Sequence, residues 1–111
     1  MMRPESGRSD MSSNGYGDKQ NQVLNHLQIF HKGRKKAVTS RTLEAVFNIK
    51  GSELRKIINE IRSSGHPVCS DNTGYYYAKN KKELNATIAQ LSSRVQNIAN
   101  ARDGLVIALN K

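Results

Sequence analysis

Disulfides are the first thing this chain cannot have. Its single cysteine, Cys69, has no partner within the same 111 residues. That excludes a cross-linked extracellular scaffold and suits a reducing compartment. Tryptophan is absent, and tyrosine and phenylalanine number four and two, so the core must be modest and largely aliphatic. A domain of about 60 residues is nevertheless viable without staples. Long apolar runs are missing too. Nothing approaches the roughly 18 residues of a membrane span, and the N-terminus has no apolar signal core. The expectation is a soluble cytoplasmic protein.

Acidic residues are also scarce. Nine Asp and Glu stand against eighteen Lys and Arg, a net charge of +9. Residues 1–18 carry a net −1, residues 19–79 a net +7 and residues 80–111 a net +3. The excess is concentrated in the middle of the chain, which points to a polyanionic partner.

Catalytic chemistry has little to work with. His26, His31, His66 and Cys69 match no zinc-ligand spacing. The glycines at 15 and 17 belong to no phosphate-binding loop, and no nucleophile–base pair or carboxylate dyad stands out. The chain is expected to be no enzyme and to need no metal or cofactor.

What is present is a series of short periodic segments. Residues 1–17 are rich in Ser, Gly and Met without periodicity and read as a disordered tail. Val23, Leu24, Leu27 and Phe30 predict a first helix from about Lys19 to Phe30, with Asp18 as its cap. A basic loop follows at Lys32, Arg34, Lys35 and Lys36, then a short strand at Ala37 and Val38. Leu43, Val46 and Phe47 predict a second helix from about Ser40 to Phe47. Asn48 can take the left-handed conformation that the next turn requires. Leu54, Ile57, Ile58 and Ile61 predict a third helix from Gly51 or Ser52 to Ser63 or Ser64, stopped by Gly65 and Pro67. Val68–Ser70 and Tyr75–Ala78 flank the turn residues Asp71, Asn72, Thr73 and Gly74 and predict a hairpin. Alternation places Tyr76 on the face opposite Tyr75 and Tyr77, with one face on the third helix and the other toward solvent or ligand.

Asn80 and Glu83 form a capping-box signal for a long fourth helix from about Lys81 to Leu109. Leu84, Ile88, Leu91, Val95, Ile98, Arg102, Leu105 and Leu109 recur at spacings of 4 and 3 over nearly four heptads. With Leu84, Leu91, Ile98 and Leu105 at d, the a positions hold Ile88, Val95, Arg102 and Leu109. That pattern favours a parallel two-stranded coiled coil and hence a homodimer. Such a helix is about 43 Å long, more than a domain of some 60 residues can cover. The alternative is packing in cis against the first helix.

Two helices around one tight turn, with a basic polar face on the second, have the layout of a helix-turn-helix. The hairpin makes it winged. The fold class expected is therefore mainly α with a small β wing. A winged helix-turn-helix over 18–79 is followed by a dimerisation helix over 80–111. The run from Val38 to Ala78 resembles the N-terminal domain of bacterial biotin-operon repressors and small winged-helix proteins of phages and prophages. The matching residues are Thr39-Ser40-Arg41, Ile49, Gly51, Leu54 to Asn59, Ile61-Arg62, Gly65, Pro67-Val68 and Gly74-Tyr75-Tyr76. Two positions depart from the usual pattern. Glu44 stands where a small residue is common, and Asn48 replaces the turn glycine. No biotin-ligase domain accompanies the match, so that ligand and activity do not carry over.

The resemblance implies a double-stranded DNA partner, in a bacterial cell or a phage-infected host. The third helix would enter the major groove. Its outward residues are Ser52, Glu53, Arg55, Lys56, Asn59, Glu60 and Arg62. Arg55 suits guanine, Asn59 adenine and Glu53 the cytosine amino group. Lys50, Lys56, Arg62 and Arg41 suit phosphates, as do Lys35 and Lys36 of the basic loop. Asn72, Thr73 and Lys79 would touch the backbone or minor groove. The other expectation is a protein-interaction module of a replication or transcription machine, using the wing tyrosines and the heptad stripe.

Overall fold

Aliphatic side chains at helical spacing bury one face of each of three helices. A computed structural model describes residues 15–111, with side chains from Asp18 onward. Most of the expected N-terminal tail thus lies outside the described residues. The elements are α1 (Gly15–Phe30), a 3-10 turn (Arg34–Lys36), α2 (Ser40–Phe47), α3 (Gly51–Ser63), β1 (Val68–Asp71), β2 (Gly74–Tyr77) and α4 (Lys81–Leu109). The fold is mainly helical, with one two-stranded antiparallel sheet. No helix among the described residues is long and apolar enough to cross a membrane.

The core joins Val23 and Leu27 of α1, Val38, Leu43 of α2, Leu54, Ile57, Ile58 and Ile61 of α3, and Val68 of β1. Full burial of such side chains stabilises by about 1.5–3 kcal/mol each, well above any single surface contact. Leu24, Phe47, Ile49, Tyr75 and Tyr77 pack around this cluster. Lys19 Nζ donates to the Phe47 carbonyl at 3.2 Å, and Gln20 Nε2 donates to Glu60 Oε1 at 3.1 Å. These bonds hold α1 across the α2–α3 pair.

Several expectations are corrected here. Helix α1 begins at Gly15, so residues 15–17 are helical and Asp18 lies in the first turn instead of capping it. Phe30 and Val46 are 58% and 53% exposed and lie outside the core. Val38 forms a single bridge to Tyr75, not a strand. The 3-10 turn ends at Lys36 and α2 starts at Ser40, so the extended run between them is too short for a ladder.

Local signals account for the α2–α3 junction. Thr39 accepts from the Thr42 N–H at 3.2 Å and starts α2. Asn48 ends it at φ 52°, ψ 53°, the left-handed conformation that Asn tolerates. A Cβ on Gly51 would lie 3.2 Å from Glu44 Oε2. The missing side chain at Gly51 thus leaves room for the large residue at 44.

In the hairpin, Val68 pairs with Tyr77 and Asp71 with Gly74. Asp71 Oδ1 accepts from the Thr73 N–H at 2.8 Å, an Asx turn. Tyr75 and Tyr77 face the helical core. Cys69 and Tyr76 lie on the other face, and both are buried. That face was expected to meet solvent or ligand, but the start of α4 covers it. Thr87 Oγ1 lies 3.3 Å from the Ser70 amide that donates to it, and Cys69 Sγ donates to the Glu83 carbonyl at 3.7 Å.

Gly74 is the tightest point. Its φ is +131°, and a Cβ there would lie 2.2 Å from the Val38 carbonyl oxygen. The two backbone bonds between Val38 and Tyr75, 2.9 and 2.8 Å, hold the Val38 segment that close to the hairpin. Gly65 has φ +95° with nothing within 4 Å. Gly74→Ala is therefore expected to cost roughly 2–4 kcal/mol, combining backbone strain with overpacking. Gly65→Ala should cost about 1 kcal/mol. Urea midpoints of the two variants measure the difference, and equal losses would contradict the close approach.

Candidate nucleic-acid interface

Burial of Leu54, Ile57, Ile58 and Ile61 turns a specific set of α3 residues outward. Ser52, Arg55, Lys56 and Asn59 are exposed. Their spacing of three and four keeps them on one helical face. Glu53 is half-buried in the first turn. Lys50 is exposed at the N-cap, and Arg41 is exposed in the first turn of α2. Arg55 Nη1 would lie 3.6 Å from a Cβ on Gly51. Its guanidinium thus stands beside the N-terminus of α3, where backbone amides favour anions.

Arg62 does not stand with this set. Its Nε donates to the Val68 carbonyl at 2.8 Å and its Nη2 to Ser70 Oγ at 2.9 Å. Burial, reinforced by Arg94, draws its pKa down against the pull of Tyr75 and Cys69. The guanidinium joins α3 to β1 and holds the hairpin. Glu60 is likewise half-buried and accepts from Gln20.

A second cationic group forms around the hairpin tip. Lys35 and Thr73 line one shallow depression together with Arg34 and Ala37. Arg34 Nε donates to Asp71 and ties the basic turn to the hairpin. Asn72, Thr73, Lys35 and Lys36 are all exposed. Lys79 is exposed too, with its stem over Gly33. A cleft of about 350 Å³ separates Thr39 and Ser40 at the start of α2 from Asp71–Tyr75.

Glu83 fixes this arrangement, and its role was not expected. Asn80 Oδ1 caps α4 by accepting from the Glu83 N–H at 2.9 Å. The Glu83 carboxylate does not turn back to Asn80. It accepts from the Lys79 N–H and the Arg34 N–H, each at 3.0 Å. Those two backbone bonds hold its carboxyl below the usual range. The capping-box spacing was legible, but the partner at residue 34 was not, because it lies 49 positions away. For Asp71, burial pushes the carboxyl up, and bonds from Thr73 and Arg34 outweigh it to leave the value low.

The remaining chemistry-bearing side chains have structural surroundings. Burial pushes the Cys69 thiol up, the environment of an unreactive cysteine. His26 packs edge-on against Phe47 with ring centroids 5.4 Å apart. Burial first, and then His31, lowers its pKa. Among the described residues no three His, Cys, Asp or Glu side chains gather at metal-binding distance. Comparison with protein-family models, curated proteins and solved structures finds no match to this chain.

Stability should fall with acid in two stages. A lowered histidine value means the unfolded chain takes that proton first, so stability declines as pH falls below about 6.5. The two carboxylates stabilise fully above about 4, and that contribution is lost as pH falls through their lower folded values. Urea unfolding at pH 7.5, 5 and 3 should show both steps. His26→Asn should remove the upper step and Glu83→Gln should shrink the lower one. A stability unchanged from pH 7.5 to 3 would contradict the assignment.

Proposed function

We propose that the chain is a winged helix-turn-helix protein that binds double-stranded DNA and acts as a dimer through α4. It would serve as a transcriptional regulator or as a phage or plasmid replication factor in the cytoplasm. In this reading α3 is the recognition helix, entering the major groove by residues 52–63, and the hairpin is the wing. The observation that carries it is the polar face of α3. Four buried aliphatic residues hold the helix, and Ser52, Arg55, Lys56 and Asn59 face outward from it. Arg55 suits a bidentate contact to guanine and Asn59 one to adenine. Lys35, Lys36, Arg41, Lys50, Lys56 and Lys79 supply six cations for phosphates. Arg62 is left out because it is engaged with the hairpin. Asn72 and Thr73 bring the wing tip to the backbone or minor groove.

The second reading is a protein-interaction module. Exposed Ile29, Phe30 and Val46 favour it. The wing tyrosines do not, since Tyr76 is buried and Tyr75 and Tyr77 pack on the core.

A mobility-shift titration with duplex DNA separates the two readings. Six phosphate contacts predict about a thousandfold loss of affinity between 50 and 200 mM salt. Lys50→Ala should weaken binding to all sequences and lower the salt slope by about 1. Arg55→Ala should relax selection at one base pair by about 1–3 kcal/mol. Binding that is absent at low salt, or insensitive to salt, would overturn the proposal.

A further inference from the structure

The apolar stripe of α4 changes character along its length. At its start it forms one wall of a groove of about 250 Å³, with Leu84, Ile88 and Leu91 facing Arg62, His66 and Pro67. Leu84 and Leu91 are half-buried there. Further on the helix projects away from the domain, and the molecule measures 61 × 35 × 27 Å. Val95, Ile98 and Leu105 are at least 67% exposed and Leu109 is 83% exposed.

We propose that the occupant of this groove is the C-terminal half of α4 from a second copy, so that the two helices pair antiparallel. The proposal deepens the dimer named above and does not depend on DNA binding.

Three observations support that orientation. The first is steric. In a parallel pair the groove of each copy would receive the partner's residues 84–91, and that segment already carries its own domain. In an antiparallel pair it receives residues 102–109, where every side chain is exposed and no domain intervenes.

The second is register. Core layers of an antiparallel pair match an a position to a d position. The stripe does this throughout about one midpoint, between Gln96 and Asn97. Leu84 meets Leu109, Ile88 meets Leu105, Leu91 meets Arg102 and Val95 meets Ile98. No layer is left without a counterpart. Near the midpoint the flanking positions are Ser92, Arg94, Ala99 and Ala101; three of the four are small, and the fourth is a long side chain whose head can reach solvent.

The third is charge. A parallel pair stacks Arg102 on the partner's Arg102 in the seam and sets two segments of net charge +7 side by side. The antiparallel pair places Arg102 against Leu91. There its stem can pack while the head reaches solvent, where it already pairs with Asp103 at 2.8 Å. The domains attach around Thr87 of each copy, about 28 Å apart along the rod at 1.5 Å per residue. That is several times the screening length of about 8 Å at physiological salt. Opposed helix dipoles also attract. At on the order of 100 Å² for each aliphatic side chain, the stripe and the adjoining Val106 supply several hundred Å² per copy. The groove walls bring this toward the roughly 800 Å² a side of a stable pair.

Cysteine cross-linking on the full chain, without DNA, tests the orientation. Ile88→Cys and Leu105→Cys replace seam residues that are half or more exposed, so the domain fold is not at stake. The expected result is no disulfide-linked dimer from either variant alone and a linked heterodimer from their mixture. Self-linking of each variant would establish the parallel pair and overturn the proposal. As an independent readout, nitroxides on Lys111→Cys should lie roughly 43 Å apart in the antiparallel pair and under about 20 Å in a parallel one. A monomer, seen as no cross-link and no dipolar coupling, would also overturn it. Because no duplex is present, each of these results is separate from success or failure of DNA binding.

Discussion

The packing of one helical face controls this molecule. Leu54, Ile57, Ile58 and Ile61 are nearly all inaccessible to water, and together they hold α3 against α1 and α2. A helix with four such anchors over eight residues cannot rotate without exposing them. At about 1.5–3 kcal/mol for each buried side chain, that rotation would cost much of the stability of a small domain. The polar face is therefore set by the apolar one. Ser52, Arg55, Lys56 and Asn59 point outward because their neighbours must point inward. The proposed DNA contact depends on this, since a recognition surface has value only when its side chains hold a fixed register.

The hairpin is the second fixed body, and three separate elements hold it. Arg62 bonds it to α3, the 31–38 segment bonds it through Val38 and Tyr77, and α4 covers Cys69 and Tyr76 through Thr87. Glu83 then links the first turn of α4 to the basic turn at Arg34. The result couples the C-terminal helix to the cationic tip through hydrogen bonds and buried contacts instead of a flexible linker. If α4 pairs two copies, the spacing of their α3 helices is as rigid as the domain itself.

Much of this was legible in the residues. The α2, α3 and α4 boundaries follow from caps, spacing and Gly65, and Asn48 takes the left-handed turn for the reason its side chain suggests. The hairpin follows from turn chemistry and β-branched or aromatic flanks. What could not be read depends on contacts distant in sequence. Phe30 and Val46 sit at the margins of their apolar stripes, and periodicity cannot tell which marginal residue another helix will cover. Arg62 looked like one more outward cation. Only the folded hairpin brings the Val68 carbonyl and Ser70 within its reach. The free face of the hairpin was ambiguous for the same reason, because covering it requires α4 to fold back over β1. Thr87 makes that contact from outside the heptad stripe, where a polar residue is ordinary and signals nothing. The set of candidate contact residues thus came from local periodicity, and its pruning came from tertiary structure.

Amide chemical-shift mapping with a short duplex at low salt reaches the central claim most directly, because it reads every backbone position at once. The account predicts changes concentrated at Lys50–Asn59, the start of α2 and the hairpin tip, with the α1 surface around Ile29 and Phe30 unaffected. Changes centred on Ile29, Phe30 and Val46, or none at all, would contradict it.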